Sequence, residues 1–119
     1  MNESKENAYE RAVALLASGS EPVTKETLQE AYRLLVIADE AGNVEAPFLL
    51  GEYAYYGILV PKDEKEAYAC YQRAADRGST GGKSMLVSKE LGIHRATSAL
   101  YFAFQEAGLL DVPNQDWLD

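Results

Sequence analysis

The sequence AYACYQRAADRG at residues 67–78 gives the clearest indication of the fold. It is similar to AYRLLVIADEAG at residues 31–42, which lies 36 positions earlier in the chain. The two stretches share alanine, tyrosine, alanine and glycine at matching positions. In both, apolar or small residues recur at i, i+3, i+4 and i+7, which is the spacing of one buried helix face. The sequence therefore predicts one helix that is used twice, and self-similarity at this period is typical of a helical repeat protein.

The residues at the ends of these two stretches also fit helices. Gly42 and Gly78 stand where a helix C-terminus favours a residue that can adopt a positive φ. Thr24 and Asp63 stand where an N-cap is expected, each shortly after a proline. These end residues therefore predict that the two helices begin and end at equivalent positions of the repeat.

A further helical segment precedes each copy, and a shorter third unit follows the second copy. The sequence predicts an all-α fold, a short α-solenoid of three antiparallel helix pairs. The predicted units cover about residues 4–42, 43–78 and 79–110, and residues 111–119 form a C-terminal cap in which Trp117 covers the last exposed core. The first helix of each pair is expected to line the inner surface.

The best-patterned unit resembles a known repeat family. Gly51, Gly57, the turn at residues 61–63, Tyr71 and Gly78 all fall in the register of a Sel1-like repeat, a relative of the tetratricopeptide repeat. The resemblance is strong over residues 43–78, partial over 4–42 and weak over 79–108. It implies an α-solenoid that acts as an adaptor or an inhibitor through protein–protein contacts, with no catalytic residues to carry over.

The charge of the chain is strongly negative and unevenly distributed. The net charge is −8, of which residues 1–60 carry −6 and residues 61–119 carry −2. This balance disfavours nonspecific binding to nucleic acid or to an anionic membrane and favours a basic partner, although it is also what simple solubility requires. The polar N-terminus, the single cysteine and the absence of a long apolar run predict a cytoplasmic protein.

Residues for catalysis or metal binding are scarce. There is no phosphate-binding glycine loop and no Cys/His cluster with metal spacing, and His94 is the only histidine. Cys70 lies on the apolar face of its helix with no basic partner nearby in sequence, so a buried packing role is expected. The sequence therefore predicts a protein that is not an enzyme and that has no catalytic residues, no metal and no cofactor.

One alternative stays open within residues 84–105, which resemble the helix-turn-helix of bacterial DNA-binding regulators. On this hypothesis His94, Arg95, Thr97 and Ser98 would meet base edges in the major groove. However, Ser98 falls where that motif normally buries an aliphatic residue, no third helix remains to brace the pair, and the rest of the chain would repel phosphate. Nucleic acid is therefore the less favoured partner.

The favoured partner is another protein, bound on the inner surface by residues of the second unit. The predicted partner-binding residues are Glu45, Phe48, Glu52, Tyr55 and Tyr56. Tyrosine and phenylalanine are enriched at interfaces, and the acids would steer a basic partner. Phe48 and Tyr55 have a second interpretation as inter-repeat core. The most specific form of this protein-binding hypothesis is a bacterial inhibitor or immunity protein that covers a basic surface of its partner.

Overall fold

A computed structural model describes residues 7–17, 22–92 and 100–110, except the side chain of Phe102. These residues form six α-helices and no strand, which confirms the predicted all-α class. The helices are α1 Ala8–Leu16, α2 Lys25–Glu40, α3 Ala46–Tyr56, α4 Glu64–Asp76, α5 Thr80–Glu90 and α6 Tyr101–Glu106.

The predicted helix boundaries are confirmed at both repeated helices. The Thr24 hydroxyl accepts a hydrogen bond from the Thr27 amide at 3.2 Å, and the Asp63 carboxylate accepts one from the Glu66 amide at 3.0 Å. After the two helices, Gly42 has a φ of 93° and Gly78 a φ of 104°. Both glycines thus take the left-handed conformation that ends a helix with little strain.

From α1 to α5, helices that follow one another along the chain also pack against one another. The most extensive packing joins α1 to α2, α3 to α4 and α4 to α5, and α2 packs on α3. Two glycines set the close approaches to α4. A Cβ on Gly51 would lie 2.6 Å from the ring of Tyr71, and a Cβ on Gly82 would lie 2.7 Å from the Tyr71 carbonyl oxygen. Helices α3 and α5 therefore both approach α4 at a residue with no side chain.

A charged cluster at the C-terminal ends of α2 and α4 links the first two units. Arg73 of α4 and Arg77, which caps the C-terminus of α4, each donate to the carboxylate of Asp39 on α2, at 2.7 and 3.0 Å. Arg77 also donates to the backbone carbonyl of Asn43 at 2.7 Å. The cluster is partly buried, so these bonds fix the relative position of the two repeated helices more firmly than exposed ion pairs would.

The last helix, α6, is placed differently from the helices of the first two units. It belongs to none of the four extensively packed pairs among the described helices. Phe104 instead contacts Tyr53 and Tyr56 of α3, with ring centroids 5.2 and 5.9 Å apart, and the Glu106 carboxylate accepts from the Val23 amide at 3.0 Å. Helix α6 therefore lies against α3 and contacts the residues just before α2.

Some of the sequence expectations lie outside the described residues. They include the cap at residues 111–119 with Trp117, and the helix-turn-helix residues His94, Arg95, Thr97 and Ser98. The unit boundaries at about residues 42, 78 and 110 remain a prediction.

Cys70 is buried, with 4% of its surface exposed, as its place on the apolar face predicted. Burial raises the pKa of its thiol from 9.0 to about 11, against a smaller opposing effect of Arg73. The thiolate fraction at pH 8 should therefore be about 100-fold below that of an ordinary thiol, since each pK unit is tenfold.

We expect a reaction with Ellman's reagent at pH 8 that is at least 100-fold slower in the native chain than in guanidinium. The native rate should still be rising with pH at pH 10. Equal rates in the two states would show that the thiol is not buried.

A groove lined by the first helices

The starts of α3 and α5 and one side of α1 together form a groove of about 470 Å³. We call it the first-helix groove, because α1, α3 and α5 are the first helices of the three predicted pairs. Its lining residues are Tyr9, Val13, Leu16, Ala17, Glu45, Phe48, Leu49, Thr80, Gly81 and Leu100. Most of these side chains are apolar, and Leu100, just before α6, closes one side. Residues of α1, α3 and α5, or directly flanking these helices, therefore all take part in the groove.

Glu45 is held in place at the junction of two units. The Ser79 hydroxyl donates to one Glu45 carboxylate oxygen at 2.8 Å, and the same hydroxyl oxygen accepts from the Gly82 amide at 3.0 Å. On the other side, the Asn43 side chain accepts from the amides of Glu45 and Ala46, both at 2.9 Å. Glu45 is half-buried. Its carboxylate is therefore preorganised at the groove, because both its backbone and its side chain are fixed.

Tyr9 supplies a second polar group to the groove. Burial, and then the nearby charge of Glu45, raise the pKa of Tyr9 above its usual value of 10.0. The phenol therefore keeps its proton at neutral pH and can donate a hydrogen bond. The groove thus combines a fixed carboxylate and a phenol with apolar walls.

Phe48 fits both interpretations that the sequence left open. Its ring lines the first-helix groove, and it also lies 6.0 Å from the ring of Tyr71. A Cβ on Gly81 would approach the Phe48 ring to 3.0 Å. One side of the ring therefore packs between units, and the ring also contributes to the wall of the groove.

The expectation that Glu52 presents a surface carboxylate is wrong. Glu52 is fully buried, and its side chain accepts a hydrogen bond from the hydroxyl of Tyr71. Burial and the charge of Glu52 both raise the pKa of Tyr71. The reason is that α3 lies between α2 and α4, so the side of α3 that faces away from its leucines meets α4 and not solvent. Glu52 joins α3 to α4 and cannot steer a partner.

Tyr55 and Tyr56 lie at the other end of α3 from Glu45 and do not line the first-helix groove. Both are half-buried, and their ring centroids are 5.2 Å apart. Tyr55 also contacts Tyr68 of α4, whereas Tyr56 borders a second cavity of about 330 Å³ beside Tyr101 of α6. The structure therefore separates the predicted site residues into three locations. Glu45 and Phe48 line the groove, Glu52 is buried between α3 and α4, and Tyr55 and Tyr56 lie at the C-terminal end of α3.

Sequence reasoning missed the groove residues that come from the other two units. Tyr9 and Val13 of α1, and Thr80 and Gly81 of α5, were not proposed as site residues. A usable signal was present: the repeat aligns Gly81 with Glu45 at a spacing of 36 positions. Since first helices of adjacent units lie side by side, residues at matching positions are neighbours on one surface.

The described residues contain no group of three or more His, Cys, Asp or Glu side chains that could hold a metal ion. Among the described helices, none combines the length and the apolar character required to cross a membrane.

Comparisons with known proteins agree with the repeat pattern. No protein-family model and no solved structure matches the chain. An uncharacterized Sel1-like repeat-containing protein of Schizosaccharomyces pombe is 42% identical over 67 residues, which make up 55% of this chain. The match covers only 10% of that relative, so the chain spans a small part of its length. The identity over more than half of the chain, together with the helical fold, confirms the predicted resemblance to the Sel1-like repeat proteins.

Proposed function

We propose that this chain is a protein-binding module and that the first-helix groove binds a lysine or arginine side chain of a basic partner. The observation that carries the proposal is the fixed carboxylate of Glu45, the one charged group among the described residues that line the groove. The protein–protein role that the Sel1-like resemblance implies supports the same assignment.

The shape and chemistry of the groove suit a long basic side chain. Lysine and arginine carry an apolar stem and a charged head, so the stem can lie along the wall while the head reaches a carboxylate. Val13 and Phe48 supply the wall, and Glu45 supplies the charge. The ring of Phe48 would add a cation–π contact to a head group above its face. An acidic or purely apolar partner would leave Glu45 without an opposite charge in a half-buried place.

A more specific form of this proposal is an inhibitor or immunity protein. A net charge of −8 attracts a basic protein over a distance of about one Debye length, roughly 8 Å at physiological salt. A chain that docks on the basic active surface of an enzyme blocks it sterically and needs no catalytic residue of its own. An adaptor would use the same groove without loss of the partner's activity.

The experiment is affinity capture from the native cell, followed by kinetics on the captured protein. We expect a basic protein whose affinity falls about 30-fold or more for Glu45→Gln, since truncating one partner of a partly buried charge pair costs about 2 kcal/mol or more. Glu26→Gln is the matched control, because Glu26 is an exposed acid on α2 away from the groove. The affinity of the Glu26→Gln chain for the partner should stay within about twofold of the wild type, as is usual when an exposed charge is removed.

Two results would contradict the proposal. The first is a partner whose affinity is equally insensitive to Glu45→Gln and to Glu26→Gln. The second is capture of an acidic partner whose association rate does not change with salt. If the basic partner is an enzyme, loss of its activity at equimolar chain separates an inhibitor from an adaptor.

A further inference from the structure

Four tyrosine side chains form a chain of ring contacts across the C-terminal end of α3. Their order is Tyr68 of α4, Tyr55 and Tyr56 of α3, and Tyr101 of α6, and successive ring centroids are 6.3, 5.2 and 5.8 Å apart. All four residues are half-buried, so each keeps part of its surface exposed. We call this row the tyrosine strip. It lies at the opposite end of α3 from the first-helix groove.

Buried rings hold the tyrosine strip in place from beneath. Between ring centroids, Tyr71 lies 5.2 Å from Tyr68, and Phe104 lies 5.9 Å from Tyr56. Both Tyr71 and Phe104 are fully buried. Aromatic side chains that are fixed before binding lose little conformational entropy when a ligand covers them. The strip is therefore a preorganised surface, made of a residue type that is enriched at protein interfaces.

The rings of the strip meet at steep angles. The interplanar angles are 85° between Tyr68 and Tyr55, 74° between Tyr55 and Tyr56, and 57° between Tyr56 and Tyr101. Such rings leave notches between them, whereas a nucleic-acid base stacks on an exposed flat ring, and the net charge of −8 also opposes nucleic acid. Beside the last notch, Tyr56 and Tyr101 border the cavity of about 330 Å³.

The charges beside the strip are balanced, unlike those of the chain as a whole. The Lys89 ammonium lies 4.8 Å from the centroid of the Tyr68 ring. Burial, and then the nearby charge of Glu64, raise the pKa of both Tyr55 and Tyr68. The charge of Glu52 also reaches these phenols, but Glu52 is fully buried. At the surface, Lys89 and Glu64 therefore oppose each other, and the strip complements an uncharged ligand.

We propose that the tyrosine strip binds an uncharged, proline-rich segment of a partner protein in the polyproline II conformation. Segments of this kind dock in aromatic-lined grooves, because their helix is already formed before binding. Two residues of a polyproline II helix rise about 6 Å, which is close to the distance between one ring of the strip and the next. The helix has no internal hydrogen bonds, so its carbonyl oxygens are available to accept from phenol hydroxyls.

The experiment is a titration of the ¹⁵N-labelled chain with a peptide of about nine L-prolines, acetylated and amidated so that it carries no charge. Such a peptide spans about 28 Å, enough to cross all four rings. We expect amide shifts concentrated at Tyr55, Tyr68, Tyr101 and Gln105, with a dissociation constant that does not change with salt. This result does not depend on the first-helix groove, because the peptide offers no charge to Glu45.

A peptide of the same length made of D-proline is the matched control for the ligand. It has the same composition and the opposite hand, so we expect it to bind about tenfold more weakly or less. Tyr55→Ala and Tyr101→Ala should each weaken binding of the L-proline peptide about tenfold or more, as is usual for a tyrosine at the centre of an interface. Val44→Ala, in the loop before α3, should leave the affinity unchanged. Circular dichroism checks that each variant keeps its helices.

Three results would overturn the proposal. The first is an absence of amide shifts with the L-proline peptide at millimolar concentration, which needs no variant to interpret. The second is a set of shifts at the first-helix groove and not at the strip. The third is equal binding of the two peptides, which would show that apolar contact alone holds them and that the polyproline II conformation is not recognised.

Discussion

Gly82→Ala should destabilise the chain by about 2–3 kcal/mol, which is at the upper end of the cost of overpacking a core. A Cβ at this position would lie 2.7 Å from the carbonyl oxygen of Tyr71 and 2.8 Å from the amide nitrogen of Ala75. Both atoms belong to the backbone of α4, so neither can rotate away, and α5 has to shift as a whole. Urea unfolding followed by far-UV circular dichroism measures the loss.

Gly81→Ala is the matched control for this substitution. The three atoms nearest to its Cβ would all belong to the ring of Phe48, the closest at 3.0 Å, and a ring can move by a few tenths of an ångström. Alanine also favours a helix over glycine by about 1 kcal/mol, so the net change should be less than about 1 kcal/mol in either direction. Equal effects of the two substitutions would contradict the close packing of α5 on α4.

Phe104→Ala should destabilise the chain by about 3–5 kcal/mol, the usual cost of removing a fully buried phenylalanine. Phe104 of α6 is completely buried against α3, where its ring contacts Tyr53 and Tyr56. Its loss removes the main anchor of a short helix, and we expect α6 to gain rapid amide exchange while α3 and α4 stay protected. Urea unfolding and hydrogen exchange measure the two effects.

Gln105→Ala, the exposed neighbour in α6, should change stability by less than about 0.5 kcal/mol. If Phe104→Ala were as mild as this control, or if it left α6 protected, then the contact of α6 with α3 would be wrong.

The features that local chemistry determines were predictable from the sequence. Thr24 and Asp63 cap their helices because a side-chain oxygen three residues before a backbone amide needs no distant partner. Gly42 and Gly78 end their helices for an equally local reason, since positive φ costs glycine little. The apolar stripes of α2 and α4 follow from helical periodicity, and both stripes are buried.

Features that depend on distant parts of the chain were not predictable. Helical periodicity placed Glu52 on the side of α3 away from the leucines, and that side was expected to face solvent. In fact α3 is buried on almost every side, because α2, α4 and α6 all contact it. No local pattern reveals that the hydroxyl of Tyr71, 19 residues later, is the partner of Glu52.

The position of α6 illustrates the same difficulty. A shift of 66 positions aligns Phe104 with Ala38, a small residue that allows two helices to approach closely. A phenylalanine does not fit such a place, and this misfit was a sign that α6 packs differently. The ring instead fills the space beside Tyr53, which only the three-dimensional arrangement of α3 creates.

The candidate site was half predictable. Glu45 and Phe48 were identified from the start of α3, but Tyr9 and Thr80 come from the neighbouring units and depend on how three helices align. Side chains of α1, α3 and α5 together line the groove, so a search along one helix finds only one of its walls.

A titration of the ¹⁵N-labelled chain with arginine amide shows whether the first-helix groove binds a basic side chain through Glu45. We expect amide shifts concentrated at Tyr9, Glu45, Phe48 and Gly81, and loss of these shifts in Glu45→Gln. Shifts spread over exposed acids such as Glu26, and unchanged in Glu45→Gln, would contradict it, because binding would then follow the general negative charge of the chain and not the groove.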